Sequence, residues 1–193
     1  METILGFLKG RDTQREGPLA ERVHEIDASV ERAIEPHRSP GADRLFYSLS
    51  SAADHGLLWL GIGAVRAAVV PRHRKGFVRL ALAMGAESAL TNGVIKSFFR
   101  RVRPPEYHQE GPLPYGMHKP ITSAFPSGHA ASAFTAATLL AEDDKLAPAY
   151  YGLAALVAAS RVYVRMHHAS DVVAGTAWGL TLGRLVRRKY PTG

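Results

Sequence analysis

Three blocks late in the sequence hold residue types that could bind a phosphate group and transfer it. They are Lys96 to Pro104 (KSFFRRVRP), Pro126 to His129 (PSGH) and Ser160 to Asp171 (SRVYVRMHHASD). Together they supply several fixed cations, histidines and one aspartate beside apolar segments. The planar guanidinium of arginine and the ammonium group of lysine bind a tetrahedral dianion, and an imidazole can accept a phosphoryl group. The blocks therefore predict a phosphate-handling site.

Cations in the first and third blocks are the candidate phosphate ligands. Lys96 and Arg103 lie in a basic run, which could instead be a patch that meets anionic lipid headgroups. Arg161 favours the phosphate interpretation, because it lies inside an apolar segment, where an uncompensated guanidinium is costly. Its planar fork matches two phosphate oxygens at once.

The second block has the features of a helix start that binds an anion. Ser127 can cap the helix, and Gly128 allows the main chain to approach a ligand closely. Free N–H groups and the positive end of the helix dipole then favour negative charge. His129 would lie in the first turn, where we expect it to act as an acid, although a lone histidine is often only structural.

His167 and Asp171 are four residues apart at the start of the last apolar segment. A carboxylate that holds one ring nitrogen fixes the tautomer and leaves the other nitrogen free to attack. The alternative is that Asp171 only stabilises a helix N-terminus. His168 is ambiguous. With His129 these residues could also bind zinc or manganese, but the surrounding cations would repel a metal, so we predict neither a metal nor another cofactor.

The rest of the sequence predicts the helices that position these blocks. Pro18 to Ile34 has apolar residues every three or four positions and predicts an amphipathic helix, packed on the core or lying on a membrane. Five further segments, rich in Ala, Gly, Leu and Val without alternation, predict helices over 45–70, 77–99, 128–141, 146–164 and 171–185. Alternating them up and down brings the blocks to one end of a bundle, with loops 97–127 and 165–170 forming the site.

Composition narrows the partners and the class of protein. The chain has 193 residues, a formal charge of +7 and no cysteine, which excludes disulfides and thiol chemistry. The charge favours an anionic membrane or a phosphorylated substrate, and the basic residues lack the interleaved aromatics that nucleic acid binding uses. We expect a polar and amphipathic segment over 1–44, a helical bundle over 45–193, and no cleaved secretion signal at the N-terminus.

Hydropathy alone leaves a membrane bundle and a soluble helical domain equally open. A spanning helix needs about 20 mostly apolar residues. Asp54, His55, Arg66 and Glu87 interrupt the first two segments. Strings of small residues such as AASAFTAAT favour the membrane bundle, because membrane helices contact each other through Gly, Ala, Ser and Thr.

The three blocks resemble the signature of the type 2 phosphatidic acid phosphatase superfamily, which also contains vanadium haloperoxidases and bacterial non-specific acid phosphatases. The signature is Lys, six residues, Arg-Pro; Pro-Ser-Gly-His; and Ser-Arg, five residues, His, three residues, Asp. Every named position and both internal spacings match between Lys96 and Asp171. One departure is the string His168-Ala169-Ser170, where many members have an aromatic residue and then a small one.

The resemblance implies a role for each matching position. The phosphate oxygens would be held by Lys96, Arg103, Arg161 and the Ser127–Gly128 turn. His167 would attack to form a phosphohistidine, and Asp171 would orient it. His129 would protonate the leaving alcohol and later activate water. The resemblance implies no metal, and inhibition by vanadate.

The resemblance also implies an all-α membrane bundle of about five spanning helices, with the active site at one end. The short chain is similar to small bacterial inner-membrane members that act on a lipid phosphate monoester or diphosphate, with a lipid tail among the helices. Its composition resembles actinobacterial members that act on polyprenyl-linked substrates, including removal of the 5-phosphate of decaprenylphosphoryl-phosphoribose. Basic residues in loop 71–76 and after Arg184 predict that the site faces outward.

Two other classes remain open at this stage. One is a soluble acid phosphatase or a vanadate-dependent haloperoxidase on the same scaffold. The other is a lipid-phosphate binding or transport protein that keeps the cations without catalysis.

Overall fold

The computed structural model describes residues 17–104, 122–142 and 144–192. Within these ranges the chain forms seven α-helices and no strand, which confirms the all-α prediction. Two longer regions lie outside the described residues. One is part of the loop 97–127, and the other is the N-terminus, for which we predict no cleaved secretion signal. The helices are α1 (Pro18–Ile34), α2 (Pro40–Ala52), α3 (Leu57–Val69), α4 (Arg74–Ser88), α5 (Gly128–Leu140), α6 (Ala147–Tyr163) and α7 (Ala169–Lys189).

Helix α1 has the limits that the amphipathic pattern predicts. Pro18 occupies the first turn, where its missing N–H costs nothing, and a 3₁₀ turn over Glu35–His37 follows the helix. Its buried residues are Ala20 and Asp27, while Leu19 and Ile26 are more than half exposed. The helix therefore contacts the protein through a partly polar side.

The prediction of one continuous helix over 45–70 is wrong. α2 ends at Ala52, and α3 begins at Leu57 after a 3₁₀ turn in which His55 and Gly56 have φ values of 53° and 74°. Both values lie in the left-handed region, which stops an α-helix and favours glycine. A side chain at position 56 would also meet Met84, since an added Cβ would lie 2.5 Å from its Cε. The break places Asp54 at the end of the bundle.

The segment 77–99 is helical but changes its winding along its length. α4 continues into a π-helical stretch over Ala89–Val94 and then a 3₁₀ turn over Ile95–Phe98. Such π-helical insertions in helices are frequent at functional sites, because they rotate the following side chains. Here the following turn holds Lys96, which is buried.

Helix α5 is the centre of the bundle and packs most closely against α7. Gly175, Gly179 and Gly183 form a stripe along α7, one residue per turn. A Cβ at either of the first two would lie 2.3 Å from a main-chain oxygen of α5, Ser127 O or Ala131 O respectively. The glycines therefore let the two backbones touch and fix the N-terminus of α5 against that of α7.

Arg66 and Glu87, which interrupt the apolar segments, both have polar partners. Arg66 forms an ion pair with Asp144 at the end of the bundle away from the three blocks, and Arg79 pairs with Glu142 there. Glu87 is buried and accepts hydrogen bonds from Thr91 and from Ser132 on α5. In the ranges that the structure describes, no helix combines the length and the apolar character needed to cross a bilayer.

Candidate active site

One cavity of about 300 Å³ opens at the end of the bundle where the three blocks meet. The break between α2 and α3, the end of α4, the start of α5 and the loop between α6 and α7 all contribute to its wall. It is lined by six of the eight residues expected from the sequence: Lys96, Arg103, Gly128, His129, Arg161 and His167. The other two, Ser127 and Asp171, are completely buried behind this wall.

Three cations, Lys96, Arg103 and Arg161, form what we call the cation cluster. Lys96 Nζ lies 3.4 Å from Thr122 Oγ1. Arg161 Nη1 donates to Ser50 Oγ, while its Nε has no hydrogen-bond partner in the part of the chain that the structure describes. Among the described residues, neither Lys96 nor Arg161 has a carboxylate within 4.0 Å, although both are over nine-tenths buried.

A buried cation without a nearby carboxylate destabilises the folded protein unless a bound anion compensates its charge. Burial lowers the pKa of Lys96 to about 8, and the neighbouring charges of Arg103 and Arg161 add to this effect. Arg103 is fixed by bonds from Nη1 to Met166 O at 2.6 Å and from Nη2 to Thr122 O at 3.2 Å. The cluster is therefore a rigid site for an anion.

One ring nitrogen of His167 faces the cation cluster, and the other faces Asp171. Its Nε2 lies 3.4 Å from Arg103 Nη1, and its buried Nδ1 lies 3.6 Å from Asp171 Oδ2, beyond hydrogen-bond distance. Burial lowers the pKa of His167 well below its ordinary value, and the charges of Arg103, Arg161 and Lys96 lower it further. The ring is therefore neutral near pH 7, as a nucleophile must be.

Asp171 caps a helix, which is one of the two arrangements that the sequence left open, and it lies near His167 without a hydrogen bond to it. At the third position of α7 its Oδ2 accepts the His168 main-chain N–H at 2.9 Å, so it caps the helix. Its Oδ1 accepts a bond from Arg101 Nη1 at 2.6 Å, while Oδ2 also points towards His167. His168 itself contacts Glu31 of α1 through Nδ1 at 2.8 Å.

The second block starts α5 as predicted. Ser127 is the N-cap, and its Oγ accepts the Ala130 N–H at 3.5 Å, while its own N–H donates to Asp171 O at 3.0 Å. Gly128 faces the cavity, where an added Cβ would lie 3.8 Å from Lys96 Nζ. The start of α5 therefore borders the cation cluster directly.

His129 pairs with a residue that the sequence did not assign to the site. Its Nε2 lies 2.8 Å from Asp54 Oδ1. Burial raises the pKa of Asp54, but the hydrogen bond from His129 and the charges of His129 and Arg161 outweigh it and lower that pKa overall. A carboxylate this close favours a protonated imidazole, whereas burial and the charge of Arg161 favour the neutral ring. The signal of Asp54 in the sequence is a charge inside an apolar segment, which hydropathy registers only as an interruption.

Arg101 belongs to the first basic block but does not line the cavity. It pairs with Asp171 and with Asp27 of α1. The sequence also leaves open a metal site formed by the histidines and Asp171. Within the described ranges, the structure has no group of three or more His, Asp or Glu side chains placed to hold a metal ion.

The sequence of the chain matches a known protein family. The family model of the PAP2 superfamily matches residues 76–192, which include all three blocks. The chain therefore belongs to the PAP2 superfamily, and within it to the phosphatases.

Two relatives that carry the same name align with most of the chain. Decaprenylphosphoryl-5-phosphoribose phosphatase of Mycobacterium tuberculosis is 30% identical over 173 residues, which are 87% of this chain and 93% of the relative. The protein of the same name from Mycolicibacterium smegmatis is 34% identical over 131 residues, 66% of this chain and 68% of the relative.

Two crystal structures share the fold. A transmembrane PAP2-type phosphatidylglycerolphosphate phosphatase from Bacillus subtilis superposes with a TM-score of 0.68 at 25% identity, covering 97% of this chain and 94% of that one. LpxE of Aquifex aeolicus gives a TM-score of 0.63 at 24% identity, covering 83% and 94%, and shows the fold alone.

Proposed function

We propose that the chain is a metal-independent membrane phosphatase that hydrolyses a lipid phosphate monoester through a phosphohistidine on His167. The observation that carries this proposal is the pair of buried cations, Lys96 and Arg161, that face a cavity without a carboxylate within 4.0 Å among the described residues. They compensate the charge of a bound phosphate and of the transition state, where fixed electrostatics contribute most to phosphoryl transfer.

The first step transfers the phosphoryl group to the protein. His167 Nε2 attacks phosphorus with its lone pair as the bond from phosphorus to the leaving oxygen breaks. His129 gives its proton to that oxygen, so the alcohol leaves neutral. Asp171, 3.6 Å from His167 Nδ1, stabilises the positive charge that develops on the ring.

The second step returns the protein to its starting state. His129, now neutral, removes a proton from a water molecule, whose oxygen attacks the phosphohistidine. The bond from phosphorus to His167 breaks and inorganic phosphate leaves. Asp54 holds His129 in place in both steps and stabilises its protonated form.

Substrate class is supported by the relatives and by the polar side of the cavity. The relatives at 30% and 34% identity are named for decaprenylphosphoryl-5-phosphoribose, a lipid-linked sugar phosphate. The cavity is also lined by His55, Ser88 and Asn92, which offer hydrogen bonds to sugar hydroxyls. We therefore propose a polyprenyl-linked phosphosugar as substrate, with phospholipid phosphates and diphosphates as poorer ones.

The solved structure with the same fold also supports a membrane location. The Bacillus subtilis protein with the same fold is described as transmembrane. We propose that the chain is a multi-pass protein of a bacterial inner membrane whose active site faces outward.

Phosphate release by the purified full chain in detergent tests this function. The panel is decaprenylphosphoryl-5-phosphoribose, phosphatidic acid, phosphatidylglycerol phosphate and a polyprenyl diphosphate, each with and without EDTA. We expect fastest release from the first, no effect of EDTA and inhibition by vanadate. Changing His167 to Ala should abolish release, while His73→Ala, at the opposite end of the bundle, is the matched control. Activity that survives His167→Ala or is lost with EDTA would refute the mechanism.

A further inference from the structure

Helix α1 contacts the loop that carries His167 through acidic side chains. Asp27, Glu31 and Glu35 follow each other at intervals of four residues along α1 and its final turn, and we call them the acidic face. Glu35 Oε2 accepts a bond from Arg165 Nη2 at 2.8 Å, and Glu31 binds both Arg165 and His168. Each contact reaches the segment between α6 and α7, so α1 forms an outer wall of the active site.

Asp27 is the buried centre of this contact. It is 2% exposed and accepts three hydrogen bonds: from Arg101 Nη2 at 2.6 Å, from the Ser170 N–H at 2.8 Å and from Ser170 Oγ at 2.7 Å. Ser170 lies in the first turn of α7, whose N–H groups have no partner within the helix. Asp27, which lies on α1, therefore caps the N-terminus of α7 at Ser170, the residue before Asp171.

Arg101 joins Asp27 to Asp171. Its Nη2 binds Asp27 Oδ2 and its Nη1 binds Asp171 Oδ1, both at 2.6 Å, and its side chain is only 7% exposed. Because a guanidinium is planar and rigid, two carboxylates bound to its two ends are fixed relative to each other. The position of Asp27 therefore determines the position of Asp171, whose other oxygen faces His167.

We propose that Asp27 is a positioning residue of this phosphatase: through Arg101 and Ser170 it holds Asp171, and so the ring of His167, in the geometry for attack. This inference rests on the proposed function. Asp27 lies outside the residues that the PAP2 family model matches, so it extends the site beyond the shared signature.

Removal of the Asp27 charge has a defined consequence. Among the described residues Arg101 then keeps one carboxylate partner, Asp171, draws it away from His167 and neutralises more of its charge. Attack by His167 slows, because the charge that develops on its ring is less well stabilised. Binding of phosphate by Lys96, Arg103 and Arg161 is unchanged, since none of them contacts Asp27.

The experiment compares two anions that report on different parts of the site. Orthovanadate forms a bond to an attacking nucleophile, whereas inorganic phosphate only occupies the cation cluster. Both affinities are measured by calorimetry on the full chain in detergent, together with kcat and KM for decaprenylphosphoryl-5-phosphoribose. The proteins are the wild type, Asp27→Asn, and Glu25→Gln as a matched control, since Glu25 is exposed on the same helix.

We expect Asp27→Asn to lower kcat and vanadate affinity about tenfold, with KM and phosphate affinity within twofold of the wild type and Glu25→Gln unchanged. Vanadate affinity and kcat at the wild-type level, or equal losses for vanadate and phosphate, would overturn the proposal. If Asp27→Asn does not fold, Ser170→Ala, which removes only the hydroxyl between Asp27 and Arg101, is measured in the same way and must show the same selective loss. A wild type that binds both anions but releases no phosphate would refute the proposed function, while the binding comparison still tests Asp27.

Discussion

The pairing of His129 with Asp54 predicts a defect that depends on the leaving group. Asp54→Asn keeps the size of the side chain but removes a carboxylate charge 2.8 Å from His129 Nε2, which would stabilise the ring when it is protonated. If His129 protonates the leaving alcohol, the variant should slow only reactions whose alcohol needs that proton. Decyl phosphate is such a substrate, whereas the phenol of p-nitrophenyl phosphate leaves readily without one.

Geometry and exposure set the size of the effect. A hydrogen bond to a charged group contributes about 1.5–3 kcal/mol, and each 1.4 kcal/mol in a barrier is about tenfold in rate. The side chains of His129 and Asp54 are 18% and 34% exposed, so water screens the pair. The lower end of the range applies, which corresponds to about a tenfold slower first step with decyl phosphate.

Rapid-mixing kinetics of the first turnover isolate this step, because the alcohol is released before the phosphohistidine is hydrolysed. We expect Asp54→Asn to release decanol about tenfold more slowly and p-nitrophenol within twofold of the wild type. Asp43→Asn is the control, since Asp43 pairs with Arg38 and Tyr163 and does not line the cavity. Equal losses for the two substrates, or no loss with decyl phosphate, would show that Asp54 does not support an acid.

Three further predictions concern packing, charge and pH. Gly175→Ala and Gly179→Ala each place a Cβ 2.3 Å from a main-chain oxygen of α5, so both should lower the Tm by an overpacking cost of about 1–3 kcal/mol. Only Gly175→Ala, beside the start of α5, should also lower kcat, and Gly152→Ala, with nothing within 4 Å, should change neither. Lys96→Met should lower kcat/KM about 100-fold yet raise the Tm, because it removes a buried charge; a lower Tm would contradict this. Because the pKa of His167 lies below its usual value of about 6.5, the unfolded chain binds a proton there that the folded chain does not, so stability should fall as the pH drops below about 6.5. His167→Gln should therefore show a smaller fall in Tm from pH 7 to pH 5 than the wild type, and equal falls would refute the assignment.

Local signals in the sequence predicted much of the fold. The limits of α1 follow from Pro18 and from the proline-containing turn after Ile34, and Ser127 marked the start of α5 as a capping residue. These features depend on a few neighbouring residues, so the sequence shows them directly. The regular apolar segments likewise predicted α5, α6 and α7 to within a few residues at each end.

Features that depend on distant contacts were not predictable in the same way. Asp54 and His55 interrupt the apolar segment 45–70 without showing that the helix ends there, and the break at Gly56 is favoured by its close approach to Met84 on another helix. Within the first basic block, charge and spacing do not distinguish Arg101, which faces α1, from Arg103, which faces the cavity, and only the resemblance to the signature selected Arg103. The partner of Arg101 is Asp27, more than seventy positions earlier in the chain.

A covalent phosphate on His167 is the central claim, and trapping it tests that claim most directly. The full chain in detergent is mixed with lipid phosphate carrying ³²P, quenched in alkali, in which phosphohistidine survives, and mapped by mass spectrometry. The account predicts label on His167 alone, no label in His167→Ala, and label that persists longer in His129→Ala, because that histidine activates the water that removes it. Turnover without label on His167, or label on another residue, would contradict the account.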